Sequence, residues 1–210
     1  VYELVWDYHA DYPYTAQTDP LGPSSGTNIV MRGGGWASAT MLCTVASRGE
    51  AAASLTRNDI GFRICRRVEN PVRFVWVDGG TFNNSFGDVT VNSFWLDQFE
   101  LTQAEFESVM GFNPATNNGI GPNRAAHYIS WSQAIEFCNR RSLLEGLNPC
   151  YSYGLLGTDP DTWPAGWQSD GESHLSFLCN WSANGYRLPS EAEWEFAARG
   201  GNQNPGYIYS

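Results

Sequence analysis

The sequence predicts an α+β domain with few helices, short strands and long structured loops. Three capping-box motifs each precede a short stretch with apolar residues at helical spacing. The rest of the chain consists of short β-prone runs separated by glycine, proline and asparagine. Few helices among many short strands are typical of an α+β arrangement. The 210 residues are enough for one sizeable core, so we expect a single domain spanning residues 1–210.

Each predicted helix begins at its capping box and ends near a glycine. The first box is Thr102-Gln-Ala-Glu105, and its helix ends at Gly111. Ser130-Trp-Ser-Gln133 begins a second helix that ends at Gly146, and Ser190-Glu-Ala-Glu193 begins a third that ends at Gly200. Strands are predicted at 1–6, 29–32, 61–65, 73–77 and 94–99. Residues 154–184 are too many for an ordinary connection, and we expect them to fold over the surface around Trp163, Trp167 and Trp181.

The composition excludes several classes of function. All 12 positive residues are arginine, so lysine-dependent Schiff-base and phosphate-loop chemistry is absent from these residues. The net charge is −10 and no arginine-rich stripe is present, so nucleic acid is not a predicted partner. No apolar run is long enough to cross a bilayer, and residues 1–7 have the pattern of a strand instead of a signal peptide.

Five cysteines are present, without a CxxC motif or metal-ligand spacing. Most are expected to pack as small buried hydrophobes. Cys150 and Cys179 bracket an insertion rich in glycine, tryptophan and aspartate, and are the best candidates for a disulfide, although the sequence does not fix connectivity.

Several motifs resemble those of the formylglycine-generating-enzyme-like (sulfatase-modifying factor) family. The most specific is Tyr186-Arg-Leu-Pro-Ser-Glu-Ala-Glu-Trp-Glu-Phe-Ala-Ala-Arg-Gly-Gly201, similar to the signature helix of the family. Phe74-Val-Trp-Val-Asp-Gly-Gly-Thr-Phe82 resembles its opening strand, and Phe99-Glu-Leu-Thr-Gln103 and Ile129-Ser-Trp-Ser-Gln-Ala134 resemble the next two landmarks. The resemblance implies a C-type-lectin-like fold. It also implies that Trp6, Trp36, Trp76, Trp95, Trp131 and Trp194 mostly build the frame.

The order of the motifs differs from that of the family. Residues 1–66 resemble its C-terminal part, through Val1-Tyr-Glu-Leu-Val-Trp-Asp7, Arg32-Gly-Gly-Gly-Trp36 and Gly61-Phe-Arg63, whereas residues 71–210 resemble its N-terminal part. Three explanations are open: a permuted domain, pieces of tandem repeats, or two parts joined across a missing stretch. Each is compatible with one folded domain, because neighbouring chain termini make permutation tolerable.

The resemblance also suggests an enzymatic alternative, which the residues disfavour. Family members that oxidise a substrate cysteine use a pair of redox-active cysteines, whose positions fall here on Ser38 and Cys43. Copper(I) needs paired thiolates, so a single thiol does not supply that site. His9, His127 and His174 are isolated in sequence and do not form the histidine set of iron-dependent relatives. Glu191, Glu193 and Glu195 lie in the first turns of a helix, where capping is the expected role.

Besides the copper and iron that the residues disfavour, the resemblance suggests structural calcium as a cofactor. Family members often bind calcium near the segment that matches Val1-Tyr-Glu3. Glu3 would supply a carboxylate and Val1 a carbonyl, because calcium prefers oxygen ligands. The alternative is that Glu3 pairs with an arginine.

Residues 37–59 are the expected ligand-binding segment. Ordinary relatives are rich in asparagine here, whereas this chain has the small or altered residues reached when adenines of Asn codons change. The segment therefore resembles the variable region of diversity-generating retroelement proteins, which display changing side chains on a rigid lectin-like frame. The predicted contact residues are Ala37, Ser38, Ala39, Thr40, Met41, Leu42, Ser47, Gly49, Glu50, Ala51, Ala53 and Asn58. An alanine-rich linker loop is the alternative.

Together these observations predict a non-enzymatic protein that binds a protein or surface ligand, with a cysteine oxidase and a structural adhesion component as alternatives. By resemblance, its location would be extracellular or on a bacterial cell surface.

Overall fold

A computed structural model describes residues 1–68, 72–116, 119–169 and 173–203. Three α-helices and twelve short strands occur in this part of the chain. The helices are α1 (Gln103–Met110), α2 (Trp131–Leu144) and α3 (Glu191–Ala198). The strands are β1 (Tyr2–Tyr8), β2 (Gln17–Thr18), β3 (Asn28–Arg32), β4 (Arg48–Ala52), β5 (Ile60–Gly61), β6 (Cys65–Arg66), β7 (Phe74–Val77), β8 (Gly80–Asn83), β9 (Asp88–Val91), β10 (Phe94–Asp97), β11 (Tyr151–Tyr153) and β12 (Phe177–Cys179).

All three predicted capping boxes are formed. In each, the hydroxyl of the N-cap residue (Thr102, Ser130 or Ser190) accepts a hydrogen bond from the backbone three residues on. The side chain at that third position binds the N-cap amide in return. Helix α1 ends at Gly111 in the left-handed conformation, as predicted. Each helix therefore begins at the residue that its capping box predicts.

The sheets are small, and the largest has the order β4-β3-β1-β5. Strand β3 lies antiparallel to both β1 and β4, whereas β5 is parallel to β1. A second sheet has the order β6-β10-β7. The prediction of a single strand at 61–65 is wrong. The region contains two short strands instead: β5, which ends at Gly61 and pairs with β1, and β6, which begins at Cys65 and pairs with β10.

One large hydrophobic core contains residues from both predicted parts of the chain. Leu4 and Ile29 from residues 1–66 share it with Phe106 and Phe137 from residues 71–210. Trp131 donates a hydrogen bond from Nε1 to the carbonyl of Val5, 3.1 Å away. The two parts therefore form one packed unit, consistent with an α+β fold.

The long segment after α2 contributes to this core. Strands β11 and β12 pair antiparallel, and Trp163 and Trp167 between them are buried. Both tryptophan rings pack edge-on against Phe177, with ring centroids 5.0 and 5.1 Å apart. Trp181 lies 6.1 Å from Trp6. Trp163 and Trp167 thus pack with Phe177 in the core, whereas Trp181 contacts Trp6.

Candidate functional site

The base of the predicted binding segment is fixed by a buried arginine. Arg32, at the end of β3, donates from one terminal nitrogen to the Val45 carbonyl at 2.7 Å and to the carboxylate of Glu195 at 2.6 Å. Its other terminal nitrogen donates to the Ala46 carbonyl at 3.3 Å. A hydrogen-bonded charge of this kind holds the backbone of the segment firmly against α3.

The turn after Arg32 requires glycine. Gly33 and Gly34 both have positive φ, at 85° and 75°. A Cβ atom at Gly34 would lie 2.5 Å from the carbonyl oxygen of Leu42 and 2.9 Å from the Sγ of Cys43. The turn therefore packs directly under the 3₁₀ helix Thr40–Leu42.

Residues 36–42, which we call the crest, project from this base into solvent. Trp36 is 70% exposed, Met41 78% and Leu42 46%. Their neighbours Ala37, Ala39 and Thr40 are exposed as well. Ser38 is half-buried: its hydroxyl accepts from the Gly35 amide at 3.0 Å and donates to Tyr2 at 3.2 Å. The crest combines large exposed apolar side chains with a hydrogen-bonded support.

Trp36 does not belong to the frame, contrary to the sequence prediction. Trp131 and Trp194 are buried as expected, but the indole of Trp36 lies outside the core and only donates from Nε1 to the carbonyl of Asn58 at 3.3 Å. Trp76 is also largely exposed. The neighbouring glycines explain this placement, since they turn the chain outward immediately before Trp36.

The second half of the predicted segment is mostly structural. Residues 48–52 form strand β4, in register with β3. Ala51 and Ala53 are each 5% exposed and lie in the main core, so their prediction as ligand contacts is wrong. The alternation of a β-strand turns these side chains inward. Glu50 faces outward beside His9, at 3.1 Å.

The other residues predicted in this segment are only partly accessible. Ser47, Gly49 and Asn58 are half-buried. Arg48, which lies among them, binds the carboxylate of Glu191 through two hydrogen bonds of 2.6 and 2.8 Å. Arg48 therefore anchors the segment to α3. The exposed part of residues 37–59 that could face a ligand is chiefly the crest.

A groove of about 590 Å³ runs beside the crest. Its walls include Trp36, Cys43, Arg63, Phe99 and Glu100. Phe99 is largely exposed and was predicted only as the end of a strand. No signal in the sequence set Phe99 apart, because its exposure follows from the end of β10 at Asp97, two residues earlier.

The two positions that match the redox cysteines of the family are Ser38, within the crest, and Cys43, directly after it. Cys43 borders the groove, while the other position is occupied by the hydrogen-bonded Ser38. A serine hydroxyl cannot form a disulfide or a soft-metal thiolate pair. Of the two cysteine thiols that the oxidising family members use, this chain therefore has only the thiol of Cys43 at these positions.

Glu3, the predicted calcium ligand, is in an ion pair. Its carboxylate accepts from Nε of Arg63 at 2.5 Å, and both side chains are largely buried. Among the described residues, no three or more histidine, cysteine, aspartate or glutamate side chains converge as a metal site. The pairing of Glu3 with an arginine is the alternative to calcium that the sequence left open. Calcium binding by Glu3 and Val1 stays an untested prediction.

The predicted disulfide is not formed. Cys150 and Cys179 are both thiols, and the strand register pairs Cys179 with Tyr151. Neighbouring positions on a strand face opposite sides of the sheet, so the two thiols are out of register. Burial raises the pKa of Cys150 to about 11 and raises that of Cys179 well above its ordinary value. Both thiols are therefore protonated at neutral pH.

These structural features define the class of protein. The chain belongs to the sulfatase-modifying factor enzyme 1-like domain family, whose sequence pattern matches residues 1–68 and again residues 67–210. Among curated proteins, it is 38% identical over 142 residues to the "Chaperone protein LppX" of Paenibacillus barcinonensis. That match covers 65% of this chain and 48% of the relative, so the chain spans about half the length of the curated relative it matches.

One solved structure shares the fold of this chain, and a second superposes on part of it. CarF superposes with a TM-score of 0.51 and 23% identity, covering 64% of this chain and 58% of CarF. Treponema denticola variable protein 1 superposes with a TM-score of 0.49 and 29% identity, covering 61% of this chain and 52% of that protein. The fold is accordingly the C-type-lectin-like fold of the formylglycine-generating-enzyme group. No helix in the described part of the chain has the length and apolar character needed to span a membrane.

Proposed function

We propose that this chain is a non-enzymatic binding module that captures a polypeptide partner on the crest. The observation that carries the proposal is the exposure of Trp36, Met41 and Leu42 on a loop whose base is pinned by Arg32. Exposed aromatic and methionine side chains are enriched in the centres of protein interfaces. A rigid support lowers the entropy lost when such a surface binds.

The surrounding structure explains how the crest could vary between related proteins. Ala37, Ala39 and Thr40 contact solvent, while the residues that hold the loop are Gly34, Arg32 and the half-buried Ser38. Substitutions at the exposed positions leave the core unchanged, which is the property expected of a variable binding loop. The proposed variable surface is thus smaller than the full segment 37–59.

A polypeptide is the favoured partner for two reasons. The groove beside the crest is lined by Trp36 and Phe99 and is wide and open, as an extended chain would require. The relative that is 38% identical is named a chaperone, which is a polypeptide-binding activity. We further propose that the domain acts at the cell surface or outside the cell, where such a partner would be presented.

A peptide-display experiment tests this proposal. Random peptides displayed on phage are selected on the immobilised chain, and the enriched peptides are measured against Met41→Asp and Leu42→Ser. We expect at least a roughly tenfold loss of affinity, about 1.4 kcal/mol. Leu155→Ser is the control, because Leu155 is even more exposed than Met41 and Leu42 but lies outside the crest.

The outcome is decisive because the crest variants should remain folded. A melting temperature within about 2 °C of the parent, roughly 0.5–1 kcal/mol for a domain of this size, would show this. If no peptide is enriched, or if peptides bind equally to the parent and to the crest variants, the proposal is wrong.

A further inference from the structure

A second, smaller cavity lies on α3, where Arg48 anchors the binding segment. It measures about 300 Å³ and lies between the end of β1, the loop that follows it and the first turn of α3. Tyr12, Leu21, Phe82 and Ala192 form much of its apolar wall. A volume of this size is at the lower end of the range for small-molecule pockets and is too small for a peptide.

The buried residue Asp7 is part of the wall of this cavity. Asp7 is 3% exposed, and its Oδ2 accepts a hydrogen bond of 2.7 Å from the backbone amide of Glu191. Its Oδ1 lies beside Gly22, which has φ of +69°. A Cβ atom at Gly22 would come within 3.1 Å of this oxygen. The absence of a side chain at Gly22 keeps Oδ1 accessible from the cavity.

The other charged groups around Asp7 are already paired. Glu191 binds Arg48 through both carboxylate oxygens and accepts from the Tyr12 hydroxyl at 2.7 Å. Glu195 binds Arg32 and Arg199. Arg48 is the single cationic residue among the described cavity walls, and all three of its guanidinium nitrogens donate to Glu191 or to the carbonyl of Ala10. Neither Asp7 nor Asp11 forms an ion pair with another described residue.

The cavity wall therefore combines apolar side chains with the carboxyl group of Asp7, which has no ion-pair partner among the described residues. Burial raises the pKa of Asp7 well above its usual value, with a further increase from the charge of Glu191. The buried carboxylate is costly unless a cation approaches it. The chain has no lysine, and the cavity's arginine is already bound to Glu191, so a cation that pairs with Asp7 would come from another molecule.

We propose that this cavity binds a small organic ammonium ion. Its charged nitrogen would donate to Oδ1 of Asp7, and its hydrocarbon part would contact Leu21 and Phe82. A charge-assisted hydrogen bond in a poorly solvated site favours the cation over a neutral molecule of the same shape. This site is separate from the crest, and its occupancy does not depend on the proposed polypeptide binding.

Titration calorimetry with cyclohexylammonium chloride and with cyclohexanol at pH 7 tests the proposal. We expect the ammonium ion to bind at least about tenfold more tightly than the alcohol. Asp7→Asn keeps an oxygen that can accept from the Glu191 amide but loses the charge, and should abolish this preference. Glu107→Gln removes an exposed carboxylate elsewhere and should leave the preference unchanged.

A second variant covers the case in which Asp7→Asn does not fold. Leu21→Arg places a positive charge at the partly exposed wall of the cavity and disturbs no buried residue. It should weaken ammonium binding by at least about fivefold, because like charges repel at short range. Equal binding of the two probes, no binding of either, or unchanged ammonium binding in Leu21→Arg would overturn the proposal.

Discussion

Arg32 and Glu195 form a buried ion pair with a nitrogen–oxygen distance of 2.6 Å. Arg32 ends strand β3 and Glu195 lies in α3, so the pair joins the two parts of the chain that match the family separately. The same guanidinium holds the carbonyls of Val45 and Ala46. One side chain thus connects the core of the fold to the base of the crest.

Replacing Arg32 by methionine should destabilise the protein by about 3 kcal/mol, because breaking a buried ion pair leaves a charge without its partner. Arg199 still binds Glu195 in this variant, which places the expected loss at the lower end of the range. Urea unfolding measures the change in the free energy of unfolding. Arg141→Gln removes a surface pair with Glu145 and should cost no more than about 0.5 kcal/mol. Similar losses in both variants would show that Arg32 has no special structural role.

Substitutions within residues 37–59 should divide into tolerated and destabilising groups. Thr40→Asp changes an exposed side chain and should alter the free energy of unfolding by less than about 0.5 kcal/mol. Ala51→Leu inserts three carbon atoms beside Ile29 in the core and should cost about 1–3 kcal/mol. Chemical denaturation of the two variants checks this difference. An equal effect of both changes would contradict the division of the segment into an exposed crest and a buried strand.

The pH dependence of stability should reveal the buried carboxyl of Asp7. Burial, then the charge of Glu191, raises its folded-state pKa well above 3.8, while Glu193 adds to the increase and Arg48 opposes it. The native state therefore binds a proton that the unfolded state releases, so the contribution of Asp7 to stability falls as pH rises from about 4 through the folded-state pKa. Asp7→Asn should gain stability relative to the parent across this interval.

Unfolding free energies at pH 4, 5.5 and 7 measure that relative gain. Glu107→Gln changes an exposed carboxylate and should stay parallel to the parent at each pH. If the difference between Asp7→Asn and the parent is independent of pH, Asp7 titrates normally in the folded protein.

The sequence predicted the parts of this structure that depend on local signals. The three helices follow from their capping boxes, because the N-cap hydroxyl and the third residue satisfy two of the amides at the start of each helix. The division of residues 37–59 did not follow, since alanine is equally compatible with an exposed loop and a buried strand. Only the pairing of Ala51 with Ile29 decides between them.

Long-range contacts also explain the other differences. Tryptophan is a residue type that is usually well buried, so the sequence alone places Trp36 in the core. Its exposure depends on the glycine turn, which packs under Leu42 and Cys43. The Asp7 cavity was not predicted, because its walls come from β1, the following loop, β8 and α3, which are distant in sequence. No spacing within a single motif could bring these residues together.

Thiol labelling should distinguish Cys43 from the four other cysteines. Cys43 is half-buried at the edge of the crest groove. Cys65, Cys138 and Cys150 are buried and Cys179 is half-buried, and burial raises the pKa of these four thiols. Because the thiolate is the reactive form, Ellman's reagent at pH 8 should modify one thiol rapidly in the native protein, and Cys43→Ser should remove that phase. Cys179→Ser should retain it. After denaturation without reductant, the parent should show five reactive thiols, and a count of three would instead establish a disulfide such as Cys150–Cys179.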